Sequence, residues 1–211
     1  MDPRTLFLAL SLCLLTACAG QKSGAGHDMN AGGPDDLSLA SIVVLPCAHD
    51  TDGQGQENTA LRLEEGCRAL DTIIAEYFAM KENVNILSAL QAESLSDTFI
   101  SNQDKRAMHV GRQAHGDAVL VTRLIAYRQL EGRKYGADEP ASVSFDYRLL
   151  HLESGKPLCL GSFEETQKTL FSDLFSFGKA SKRKFEFVQA ETLLREGVEG
   201  KFGDCRHLAT Q

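Results

Sequence analysis

From Leu37 onward the apolar pattern keeps changing its period, and this alternation constrains the fold more than any other feature of the chain. Ser41-Ile-Val-Val-Leu45 is a short β-branched run stopped by Pro46, as in a buried strand. Over Glu57–Lys81, Ala60, Leu63, Cys67, Leu70, Ile74 and Tyr77 recur at spacings of three and four, which predicts a long amphipathic helix with Gly66 inside it. Val84–Leu87 reads as a second strand. Asn102–Ala114 reads as a second helix, whose small face of Ala107, Gly111 and Ala114 can approach a sheet closely. The period then falls to two. Ala118–Leu130 and Ala141–Leu152 are long strands, and in the latter Val143, Phe145, Tyr147 and Leu149 alternate with Ser142, Ser144, Asp146 and Arg148. The stretch GRKYGADEP between them is a polar loop. Glu153–Lys156 is a tight turn into a strand over Pro157–Glu164, and a last helix spans Ala190–Phe202. The expected class is α/β: a mixed sheet in the order β-α-β-α-β-β-β, with helices packed on it and a C-terminal helix.

Before this module lies a different kind of sequence. Leu6–Leu15 is an apolar run bounded by Arg4 and by Thr16-Ala17-Cys18. Spanning a hydrocarbon core of about 30 Å takes roughly twenty apolar residues, so this run fits the core of a cleaved export signal instead. Leu15-Thr16-Ala17-Cys18 resembles a bacterial lipobox, in which the cysteine sulfur receives a diacylglycerol group and cleavage precedes it. An ordinary signal peptide with a coincidental cysteine is the alternative. The lipobox implies a signal peptide at 1–17, a lipidated flexible tether at 18–36 and a single periplasmic α/β domain at 37–211. Each buried methylene contributes about 0.8 kcal/mol, so one acyl chain binds marginally and two or three hold stably. Ala19 follows the cysteine, where an Asp would resemble an inner-membrane retention signal, so the expected address is the periplasmic face of the outer membrane. Residues 19–36 are rich in Gly, Ala, Asn and Asp, and as a coil would span roughly 23 Å.

The run Ile42–Pro46 before a polar loop and a long helix resembles the opening of a periplasmic lipoprotein superfamily. That superfamily includes the TolB amino-terminal domain, the curli secretion lipoprotein and the penicillin-binding-protein activators. Asp117–Val121 after the second helix and Ser154-Gly-Lys156 before the last strand match its pattern. Gly161–Gln167 and Ala190–Val198 are similar to a subset of uncharacterised lipoproteins. The resemblance implies a non-enzymatic accessory of secretion, envelope assembly or cell-wall synthesis. It would be held to the membrane by its lipid and would bind an envelope protein or copies of itself.

Six cysteines are present. With Cys13 in the leader and Cys18 assigned to lipid, Cys47, Cys67, Cys159 and Cys205 remain as disulfide candidates for an oxidising compartment. Four cysteines allow three pairings, which the sequence leaves open. Placement favours Cys47, at a strand end, with Cys67, on the helix face turned to the sheet; Cys159 with Cys205 follows by default. No C-x-x-C pair is present, which disfavours zinc or redox chemistry.

Other clusters are weaker. His49, Asp50 and Asp52 share one loop and define the alternative function, a metal-binding or enzymatic periplasmic protein. Their loop lacks the ligand spacing and distal Glu of a calcium loop. Lys179, Lys182, Arg183 and Lys184 form a basic cluster that could meet a partner or lipid phosphates. Phe171, Leu174, Phe175 and Phe177 precede it at helical spacing, as core or as an apolar docking surface. With 22 basic and 29 acidic residues and a net charge of -7, the chain lacks the basic character of a general nucleic-acid binder. No G-x-S-x-G, H-E-x-x-H or P-loop pattern occurs, so neither a catalytic residue nor a cofactor is expected.

Overall fold

In the computed structural model, which describes residues 38–49, 57–133, 136–167 and 188–209, strand β1 (Ile42–Val44) lies at the centre of the parallel half of a sheet. All three of its residues are buried, as a strand covered on both faces requires. It pairs in parallel with β3 (Val84–Ile86) on one side and β4 (Ala118–Arg128) on the other. A two-residue strand, β2 (Ala48–His49), also runs parallel to β4 further along. Beyond β4 the sheet becomes antiparallel through β7 (Ser142–His151) and β8 (Pro157–Thr166), giving the order β3-β1-β4-β7-β8. The tight turn between β7 and β8 uses Gly155 at φ +68°, a conformation that glycine adopts without steric cost.

Helix α1 (Glu57–Tyr77) covers one face together with α4 (Ala190–Gly203). The expected stripe of α1 is buried at Leu63, Cys67, Leu70 and Ile74, whereas Ala60 is exposed. The helix ends at Tyr77, short of Lys81, and Phe78 turns inward to stack on Phe202 at a centroid distance of 5.9 Å. Gly66 is required rather than merely tolerated: a Cβ there would lie 2.5 Å from the Tyr127 ring and 2.6 Å from Leu124. On the opposite face, α3 (Gln103–Gln113) sets Ala107, Val110 and Gly111 against Val119, Val121, Leu150 and Leu152. A Cβ on Gly111 would reach Val119 and Leu152 at 3.0 Å, so the small-residue face does bring this helix close to the sheet.

The mixed α/β sheet, its covering helices and the C-terminal helix agree with the sequence expectation. Four short elements were absent from it. β2 lies in the stretch read as a loop, because the chain rejoins β4 after Pro46, which has no N–H to donate. The polar stretch before β7 carries the hairpin strands β5 (Glu131–Arg133) and β6 (Gly136–Glu139). Helix α2 (Ala89–Ser94) begins with a capping box: the Ser88 side chain accepts from the Gln91 N–H, and the Gln91 side chain accepts from the Ser88 N–H.

Candidate functional site

Both disulfides belong to the face covered by α1 and α4. Cys47, one residue beyond Pro46, is bonded to Cys67 on the inward stripe of α1, with 5.3 Å between their Cα atoms. Cys159 in β8 is bonded to Cys205, just past the end of α4, with a Cα separation of 6.0 Å. Each clasp fastens a helix to the sheet. Beside the first, the Cys47 N–H donates to Asp71 Oδ1 at 2.8 Å. Burial raises the Asp71 carboxyl above the ordinary carboxylate range, and this hydrogen bond only partly offsets the rise.

Among the described residues, the other face is covered only in part. Along β4 the residues facing α3 are Val119 and Val121, but the next is Arg123. Along β7, Leu150 is followed back toward the start of the strand by Arg148, Asp146 and Ser144. β8 adds Leu160 and Ser162, paired with Arg148 and Asp146. Beyond the N-terminus of α3 these positions form a cleft of about 420 Å³, bounded by Gln103, Val121, Arg123, Asp146, Arg148 and Ser162. Arg123 and Asp146 are directly opposed in the β4–β7 register and form an ion pair at 3.0 Å. Arg148 bonds Asp104 at 2.9 Å. Asp104 lies in the first turn of α3, where the helix dipole favours a carboxylate. Its Oδ1 is shielded and has no hydrogen-bond partner among the described residues. The cleft therefore presents two pre-oriented guanidinium–carboxylate pairs, a hydroxyl and an amide. Such a surface suits polar recognition of a peptide or protein.

At the edge of this module Gln167 is 7% exposed and accepts the Val188 N–H at 3.2 Å, so the two chain ends flanking residues 168–187 are held together. Nearby, Gln129 Oε1 accepts the Ala190 N–H and supplies the cap that Gln189 does not give α4. Gln129 and Tyr127 both donate to Glu191, and burial with the Glu191 charge raises the Tyr127 phenol well above its ordinary range.

The basic cluster Lys179, Lys182, Arg183 and Lys184 lies outside the described residues, as do Phe171, Leu174, Phe175, Phe177 and Cys18. Of the alternative site only His49 is described; it sits in β2, and its Nδ1 is buried without a partner among the described residues. Asp50 and Asp52 lie outside them. The sequence alone singles out none of Asp104, Arg123, Asp146 and Arg148 as a site residue. The available signal was an acid and a base two apart on a period-two strand, Asp146 and Arg148, which therefore share one face.

No family model matches this chain, and no curated protein matches it. Among solved structures it is similar to the PelC dodecamer from Paraburkholderia phytofirmans, at 14% identity and a TM-score of 0.42 over 75% of this chain and 84% of that one. Lipoprotein GNA1162 from Neisseria meningitidis gives 18% identity and a TM-score of 0.41, covering 69% of this chain and 95% of that one. The C-terminal domain of LpoB from Salmonella enterica gives 14% and 0.39, covering 63% and 87%. At such scores nothing about activity or assembly passes from those proteins to this one.

Proposed function

We propose that this protein is a lipid-anchored accessory of the bacterial envelope. In this reading its α/β domain is a non-catalytic binding module on the periplasmic face of the outer membrane. The observation that carries the reading is the joint use of the cysteines. Cys18 ends a run that resembles a lipobox, and all four cysteines of the described fold are joined in disulfides, as suits an oxidising compartment. The partly open sheet face, with Arg123, Asp146, Arg148 and Ser162, is the surface on which an envelope protein would dock.

Two measurements test this. Replacement of Cys18 by Ser should abolish fatty-acid incorporation and release the chain from the membrane fraction. Unchanged mass and fractionation would remove the anchor. A photo-crosslinking residue at Ser162 should capture a discrete envelope protein in cells, whereas one at Arg62, on exposed α1, should not. Equal capture from both positions would remove the docking face. His49 Nδ1, buried without a partner among the described residues, motivates a second reading, a metal-binding or enzymatic loop with Asp50 and Asp52. Stoichiometric zinc or calcium binding that is lost on changing His49 and Asp52 would favour it.

A further inference from the structure

The Cys47–Cys67 clasp has surroundings that a purely structural link does not require. Asp71 stands one turn beyond Cys67 on α1, and side chains four apart on a helix are neighbours, with about 5–6 Å between their Cβ atoms. Its carboxyl also accepts the Cys47 N–H at 2.8 Å, so it adjoins both halves of the clasp. An amide would accept the same N–H without the cost of a buried charge. Burial raises the Asp71 pKa and the Cys47 bond offsets this only in part, so the carboxyl keeps its proton to higher pH than a free one. The Ala48 carbonyl is the second feature. Its oxygen lies 3.5 Å from Cys47 Sγ and 3.6 Å from Cys67 Sγ. A disulfide sulfur has no proton to give this acceptor, whereas a thiol has one. The setting thus supplies an acceptor for the reduced form and a proton carrier for reaching it. At the other clasp the bonds are those of a helix end: the Cys205 N–H donates to the Phe202 carbonyl, and the Cys205 carbonyl accepts from Leu208 and Ala209.

We propose that Cys47–Cys67 is a site of thiol–disulfide exchange with an external dithiol, and that Asp71 carries the proton for it. A thiolate of the dithiol attacks Cys47 Sγ, since Cys47 is partly exposed and Cys67 only 6% exposed. The bond between the two cysteines breaks, a mixed disulfide forms at Cys47, and Cys67 leaves as a thiolate. Burial disfavours that charge, and the Asp71 carboxyl one turn away gives it a proton. The second thiol of the dithiol then attacks its own sulfur in the mixed disulfide and releases Cys47, which takes up the proton that this thiol gives up. Asp71 regains from water the proton that the first thiol released. The dithiol ends oxidised to a disulfide, and Cys47 and Cys67 end reduced to thiols. A C-x-x-C spacing is not needed for these steps, because the two cysteines stand 20 apart in the chain and meet only through the fold. Reduction unties the chain after β1 from α1 and leaves the Cys159–Cys205 clasp in place. Among titratable groups on the elements packed on α1, Tyr127 of β4 donates to Glu191 of α4, and Arg195 of α4 pairs with Glu76. His49 on β2 and Arg68, three residues before Asp71, are the charges to be separated from that of Asp71.

The test uses the oxidised full chain, with Cys13→Ser and Cys18→Ser so that neither takes part in exchange, and dithiothreitol as the dithiol, from about pH 4 to 8. Timed samples are alkylated, and peptide mass spectra follow the reduction of each pair separately. Cys47 and Cys67 are expected to be reduced roughly tenfold faster than Cys159 and Cys205. After correction for the thiolate fraction of the dithiol, reduction of the first pair should slow as pH rises through the Asp71 value. Asp71→Asn should slow that pair by at least about tenfold, a modest share of what a positioned proton donor contributes, and should remove the pH step. The second pair should respond to neither change. His49→Gln and Arg68→Gln chains should keep the step; its loss in His49→Gln with retention in Asp71→Asn assigns the proton to the imidazole and overturns the proposal. Equal reduction of both pairs, or an unchanged rate and profile in Asp71→Asn, also overturns it. If the melting temperature of Asp71→Asn falls, the order of the two pairs and the pH step of the chain with Asp71 intact decide the matter by themselves.

Discussion

The two faces of the sheet were built from the same strands yet reached different solutions. The face under α1 and α4 is deep, aromatic and cross-linked: Phe202 meets Tyr77, Phe78 and Tyr147 at centroid distances of 5.1–5.9 Å, and both disulfides lie in this layer. The face under α3 is shallow. Among the described residues its buried cluster contains no aromatic side chain, and it gives way within one strand to Arg123, Asp146 and Arg148. Stability is concentrated on one side, which leaves the other free to be polar. Binding surfaces require that freedom, because residues that hold a core together cannot be chosen for a partner.

The widest gap between the faces should appear on truncating Phe202, which is fully buried. Phe202→Ala should cost about 3–5 kcal/mol in denaturant unfolding, against about 2 kcal/mol for Leu152→Ala on the shallow face. Equal losses would break the comparison. Next come the clasps. Changing Cys159 and Cys205 to Ala removes a link across 46 residues, an entropic effect of about 4 kcal/mol. Removal of the Cys47–Cys67 link, across 20 residues, should cost about 3 kcal/mol. Thermal melts of the two variants give the order directly.

A smaller test concerns how closely the helices approach the sheet. Gly66→Ala would force a Cβ within 2.5 Å of the Tyr127 ring, whereas Gly111→Ala meets its neighbours at 3.0 Å. The first should cost about 1–3 kcal/mol and the second less; the reverse order would show that α3, not α1, is the tighter contact. Asp71 offers a titration of the deep face. Its folded pKa is raised, so the native state holds the proton more tightly than the unfolded chain does. Stability from this group is present below the unfolded value of 3.8 and is lost as pH rises through the raised folded value. Asp71→Asn keeps an acceptor for the Cys47 N–H without the buried charge. It should therefore flatten stability across that window and leave the protein no less stable at neutral pH. The smallest effect belongs to the open face: Arg123→Gln should cost no more than about 1 kcal/mol, because its ion pair is about one-third exposed.

How much of this was legible depended on the scale of the signal. The long helix and the three antiparallel strands announce themselves because their period is sustained over ten or more residues. β2, at two residues, is too short to show any period, and the Gln129 cap of α4 joins residues 61 apart in the chain. Helix α2 was readable from Ser88 and Gln91, whose spacing is that of a capping box, but its exposed surface offers no apolar stripe to draw the eye. The polar cleft was half visible. Period two places Asp146 and Arg148 on one face, but their partners Arg123 and Asp104 come from a neighbouring strand and a helix.

By itself the sequence determined the alternation of elements, the helix stripe that must face a sheet and the small residues that allow α3 to sit close. Each of these is a local matter of side-chain size and period. Tertiary structure alone decided that Arg123 meets Asp146, that Gln129 caps α4, and that Lys81 stands beside His207, 126 residues away. Pairings of that kind depend on how the chain returns in space, and no periodicity along it encodes the return.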